Sequence, residues 1–114
     1  MRHGLPDHLR PNVRAALVEA RAALAELYGD RLARVVLYGS QARGDARDSS
    51  DVDVLVVLRG EVDALAELRR TTGLWWPALR AHGVHLSVHP YDETAFASAD
   101  RPFLEGVRAE GVEL

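Results

Sequence analysis

The chain has no cysteine, which excludes a disulfide framework and a thiolate metal site and makes a reducing compartment, the cytoplasm, the expectation. Its first residues, Met1 to Arg10, contain no apolar run, so neither a secretory signal nor a membrane span is expected. An excess of basic charge is also missing. Fourteen Lys or Arg stand against 17 Asp or Glu, for a net charge of −3 and a pI of about 5.9. That balance argues against direct, charge-driven binding to a nucleic-acid backbone. Repeats, linkers and low-complexity segments are absent too. What remains is a 114-residue chain, 47% hydrophobic and 27% charged, expected to fold as one domain over 1–114. At this length a chain buries somewhat more than about 60% of its extended surface, enough for a core and an open or shared site.

Pro11 can serve as a first helical residue, and Val13, Ala16, Leu17, Ala20, Ala23, Leu24 and Leu27 follow at spacings of three and four. Gly29 and Asp30 end that helix. Leu32 to Tyr38 read as a strand, with Val35, Val36 and Leu37 apolar in succession as in a strand covered on both faces. The segment from Ser40 to Ser50 is polar, a loop or short helix, before a second strand from Asp51 to Leu58. A further helix is expected from about Val62 to Arg70, with Gly73 and Pro77 interrupting its extension. Trp75 and Trp76 beyond it read as core or interface. Val84 to His89 alternate strictly, Val84, Leu86 and Val88 one way and His85, Ser87 and His89 the other, and Pro90 closes the strand. Pro102, Phe103, Leu104 and Val107 mark a last helix ending near Gly111. Arg31, Arg34, Arg69 and Arg70 read as solvated charges, and His3, His8 and His82 are too scattered for a metal site.

The chemistry-bearing segment is Gly39-Ser40-Gln41-Ala42-Arg43-Gly44, followed by Asp51-Val52-Asp53 with ten residues between Ser40 and Asp51. A glycine after a strand allows a tight turn, and a serine with free amides at a helix start can receive phosphate oxygens. Asp51 and Asp53, two apart on a strand, leave the same face with Cα atoms roughly 6.6 Å apart. An aspartate such as Asp53 inside an otherwise apolar strand is costly unless a cation accompanies it. Phosphoryl and nucleotidyl transfer need hard divalent cations, and Mg²⁺ is commonly held by one or two carboxylates with phosphates and waters completing its shell.

Gly39-Ser40 followed after ten residues by Asp51-Val52-Asp53 resembles the signature of the polymerase-β-like nucleotidyltransferase superfamily, and the short length resembles its minimal nucleotidyltransferases. Many of these are antitoxins paired with HEPN-domain ribonuclease toxins. The likeness covers roughly Leu32 to Val88. It implies an α+β fold, a mixed sheet of three to four strands with helices packed on it. It further implies that Gly39 and Ser40 contact the triphosphate of ATP, that Asp51 and Asp53 hold Mg²⁺ and carry catalysis, and that Arg43 lies near the phosphate end. Active members have a third carboxylate on a later strand. Here that strand offers His85, Ser87 and His89, so His85 or Ser87 occupies the position, or Asp92 or Glu93 supplies the group. The function implied is transfer of AMP to a hydroxyl, a tyrosine of a HEPN-domain toxin, within a homo- or hetero-oligomer. The alternatives are a protein of this fold that neutralises its partner by binding alone, and an adenylyltransferase acting on a small molecule such as an aminoglycoside.

Overall fold

A computed structural model of the chain describes residues 1–98 and 101–114. Helix α1 spans Pro11–Tyr28, opened by Pro11 and closed at Gly29, whose φ of +53° takes the chain out of the helix. Strand β2, Leu32–Tyr38, follows a short 3₁₀ turn. It is numbered second because a two-residue strand β1, Arg2–His3, precedes the first helix. The polar segment supplies a four-residue helix α2, Ser40–Arg43, before strand β3, Val52–Leu58. Helix α3, Ala64–Thr71, begins at Asp63, whose carboxylate accepts hydrogen bonds from the amides of Leu65 and Ala66. A 3₁₀ turn leads into α4, Trp75–His82. Pro77 does not break α4, because in the first turn its missing N–H has no intrahelical acceptor to lose. Strand β4, Leu86–Asp92, is followed by helices α5, Glu93–Ser98, and α6, Pro102–Glu110, and by strand β5, Val112–Glu113.

The sheet is mixed and five-stranded, in the order β1-β5-β2-β3-β4. Strands β2 and β3 are antiparallel, and β3 and β4 are parallel. The strands β1 and β5, each too short for an alternating pattern to mark, take the sheet past the three to four strands expected. β4 also differs from expectation at both ends, beginning at Leu86 rather than Val84 and running through Pro90 to Asp92. Because β4 is the edge strand, one side of its backbone has no neighbouring strand, and a residue without an N–H is tolerated there.

Helices cover both faces. On one, Val35, Leu37, Val52, Val54, Val56, Leu58 and Leu86 pack with Val13, Leu17 and Leu24 of α1 and Ala78 of α4. On the other, Val36, Leu55 and Val57 pack with Phe96 of α5 and Leu104 and Val107 of α6. The apolar succession of Val35, Val36 and Leu37 therefore serves two cores, as a doubly covered strand requires. Among the described residues, no helix is long and apolar enough to cross a membrane.

Candidate active site

The ends of three strands meet where the sequence places its polar motifs. Tyr38 closes β2, opposite Asp53 of β3, and Asp53 in turn lies in register with Ser87 of β4. Alternation puts all three on the sheet face that carries Leu55 and Val57. Asp51 sits one residue before β3, whose first residue is Val52, so the strand does not begin at Asp51 as expected. Val52 donates its N–H to the carbonyl of His85, which fixes the start of β3 against the start of β4.

Gly39 turns the chain out of β2 with φ +75° and ψ −156°, a region open essentially to glycine. A β-carbon at Gly39 would stand 2.7 Å from Oδ2 of Asp53. The glycine is thus required twice, by its backbone angles and by the carboxylate that lies against it. Ser40 then opens α2, whose leading amides have no partner four residues back. Arg43, at the other end of α2, is exposed and pairs with Asp45 and Glu110, each at 3.2 Å. Those hydrogen bonds hold its guanidinium in the charged form.

Burial raises the Asp53 carboxyl above the ordinary carboxylate range, helped by the nearby Asp51 charge and opposed by positive charge at His89 and Arg43. The ionised form of Asp53 therefore lacks a full complement of counter-charge from the protein. A divalent cation would supply it. Among the described residues, no three His, Cys, Asp or Glu side chains gather into a ready-made metal site. Two neighbouring carboxylates without a third fit a Mg²⁺ that takes its remaining ligands from phosphate oxygens and water.

The third strand presents Ser87 and His89, which share a 2.9 Å hydrogen bond between Oγ and Nε2. Ser87 holds the register position opposite Asp53. His85 lies exposed ahead of β4 and joins the group through its backbone carbonyl. Asp92 ends β4 five positions past Ser87, paired with Leu58 at the far end of β3, and Glu93 follows it. Neither can reach the Asp51–Asp53 end of the sheet.

Three features carry weak or no signals in the sequence. Tyr38 faces Asp53 and contacts His89 with ring centroids 6.2 Å apart; burial, then the Asp53 charge, pushes its phenol up to about 12. Its only sequence mark is its place before Gly39. The amino-terminal residues brace the polar loop: His8 Nε2 lies 2.6 Å from the carbonyl oxygen of Gln41, and Arg10 donates to the carbonyl of Ala46 and pairs with Asp48 at 3.1 Å. Finally, Trp75 and Trp76 are not core, being 46% and 53% exposed.

Three of the four arginines read as solvated charges, Arg31, Arg34 and Arg70, are paired instead. Arg31 and Arg70 clamp the carboxylate of Glu67, 2% exposed, at 2.7 and 3.0 Å, and Tyr28 donates its hydroxyl to it at 3.2 Å. Burial pushes the Glu67 carboxyl up, but Arg31, Tyr28 and Arg70 together outweigh it and hold the group below its usual range. Arg34 pairs with Glu113 at 2.8 Å and lies over the ring of Phe96.

Comparison with known proteins agrees with this geometry. The nucleotidyltransferase domain family matches residues 17–105. Two proteins of Methanocaldococcus jannaschii that carry the provisional name of protein adenylyltransferase are similar to the chain. One is 42% identical over 52 residues, 46% of this chain and 50% of that protein. The chain thus spans about half the length of this first relative. The other is 31% identical over 96 residues, 84% of this chain and 92% of that protein. A solved structure provisionally described as a minimal nucleotidyltransferase shares the fold, with a TM-score of 0.60 at 24% identity over 96% of this chain and all of that one. A strand-ending glycine pressed against an aspartate of the next strand, in a mixed sheet shared with such structures and within a family match covering most of the sequence, places the chain in the nucleotidyltransferase domain family.

Proposed function

We propose that this protein transfers AMP from ATP to a hydroxyl group of another protein, releasing pyrophosphate. The observation that carries the reading is the contact between the phosphate-loop glycine and a carboxylate: a β-carbon at Gly39 would stand 2.7 Å from Oδ2 of Asp53, which would have to turn aside. A triphosphate on the amides at Ser40 would thereby lie beside Asp51 and Asp53. Asp51 and Asp53 would hold Mg²⁺, which when bound neutralises charge on the transferred phosphate and the leaving group. Gly39 and Ser40 orient the phosphates, and the desolvated Asp53 favours a bound cation over an empty site. Arg43 lies at the carboxy-terminal end of α2 and supports the loop through Asp45 and Glu110.

Support for adenylyl transfer to protein comes from the names of the two archaeal relatives. A HEPN-domain toxin as partner, a tyrosine as acceptor and an antitoxin role rest on the family resemblance. One observation favours a second reading. Ser87, hydrogen-bonded to His89, stands opposite Asp53 where an active enzyme would carry a third carboxylate. A protein that binds nucleotide and neutralises its partner without turnover is consistent with that position.

Incubation with Mg²⁺, α-labelled ATP and a co-purifying partner tests the proposal, with an Asp51→Asn, Asp53→Asn double variant as control. Label on the partner that the double variant cannot place there is the expected result. A stable complex with no label favours the second reading, and label placed equally by the double variant overturns the site assignment.

A further inference from the structure

Next to the carboxylates, a cavity of about 260 Å³ is lined by Asp51, Trp75, Leu79, His85, Leu86 and Ser87. It is separate from the loop that carries Gly39 and Ser40. Across the sheet the order is β2 with the loop, β3 with the aspartates, and β4 with this cavity beside its start. Two strand spacings, about 10 Å, separate the loop strand from the strand beside the cavity. A nucleotide with its phosphates on the loop and the β3 aspartates could reach the cavity with its base across that distance.

We propose that this cavity receives the nucleobase of the bound nucleotide, with Trp75 as its stacking surface. The inference rests on the nucleotide-binding reading of the site above. Trp75 opens α4, the residue 46% exposed, and Trp76 meets it edge-on with ring centroids 5.6 Å apart. The neighbour restricts the Trp75 ring, so a flat ligand meets a surface already in place, and bases stack on such exposed aromatics whatever their identity. Leu79 and Leu86 supply apolar walls, while His85 and Ser87 offer polar atoms to a ring edge. The volume lies below the roughly 300–1,000 Å³ of pockets that enclose a whole drug-sized ligand, and suits one ring system with the phosphates outside.

The two tryptophans are the only ones in the chain, so single-tryptophan variants report on each in turn. With Mg²⁺ present, ATP is expected to quench the emission of the Trp76→Phe protein, in which Trp75 alone remains, and inorganic tripolyphosphate is expected not to. By calorimetry, Trp75→Leu is expected to weaken ATP binding about tenfold while leaving tripolyphosphate binding unchanged, and Trp75→Phe is expected to retain most of the affinity. Wild-type affinity for ATP in Trp75→Leu overturns the assignment and leaves the cavity to an acceptor side chain. Equal weakening of ATP and tripolyphosphate also overturns it, as a disturbance of the phosphate site. Failure of both ligands to bind the unmodified protein removes the nucleotide reading itself, and the base pocket with it.

Discussion

Replacing Gly39 by alanine tests the contact on which the site is built, and its cost divides into two parts. The backbone at Gly39 has φ +75° and ψ −156°, and holding a non-glycine residue there costs on the order of 1–3 kcal/mol. The added carbon would also stand 2.7 Å from Oδ2 of Asp53, the far end of a side chain that can turn aside at a cost of about 0.5–1.5 kcal/mol. Together Gly39→Ala should destabilise the protein by roughly 1.5–4.5 kcal/mol. The parts separate in an Asp53→Ala background. That change removes Oδ2 and Cγ and leaves only Cβ, 3.7 Å away, an ordinary contact. Only the backbone cost should then remain, so urea unfolding of the four proteins should give a coupling energy of about 0.5–1.5 kcal/mol. A cost for Gly39→Ala that is the same in both backgrounds would refute the claimed contact.

Asp53→Asn should raise the melting temperature of the metal-free protein at pH 7. The folded-state pKa of Asp53 is raised above its ordinary 3.8, so the folded protein binds that proton more tightly than the unfolded chain, and the stabilisation is lost as pH rises through the carboxylate range. The gain from Asn should therefore fade toward pH values below 3.8, and a gain independent of pH contradicts the desolvation argument. Glu67→Gln has the opposite sign. Its folded pKa is depressed below 4.5, so its contribution is present above that value and disappears as pH falls through the folded pKa. With Arg31 and Arg70 partly exposed, the variant should lose about 1–3 kcal/mol at neutral pH in denaturant titrations, and no loss would show the clamp to be neutral. Leu104→Ala, at a residue 1% exposed beneath the sheet, should cost about 2–5 kcal/mol; a loss under about 1 kcal/mol would mean that α6 packs only loosely there.

Much of this architecture is legible because period and punctuation agree. Pro11, the three-and-four spacing to Leu27 and the glycine after Tyr28 give α1 its ends, and the doubly apolar run around Val36 becomes a strand between two cores. The expected alternation survives from Leu86 onward, with Leu86 and Val88 inward and Ser87 and His89 on the face of Asp53. What escapes the sequence depends on tertiary position. Pro90 signals a strand end only if both sides of the strand are paired, and β4 is an edge. The two-residue strands β1 and β5 owe their pairing to being brought together, not to a pattern of their own. Glu67 looks like any helical glutamate until Tyr28 and Arg31, from elsewhere in the chain, close over it. The glycine–aspartate spacing marks the site, but the 2.7 Å approach that makes Gly39 irreplaceable depends on how β2 and β3 are registered.

The central claim is that Gly39, Ser40, Asp51 and Asp53 form one metal-dependent nucleotide site. Calorimetric titration of the whole chain with ATP, with Mg²⁺ and with EDTA, tests it most directly when the Asp51→Asn, Asp53→Asn double variant is run in parallel. Binding that needs Mg²⁺ and is lost in the variant, while the variant stays folded by circular dichroism, is the result this account predicts. Equal binding of ATP by the unmodified protein and the double variant would contradict it.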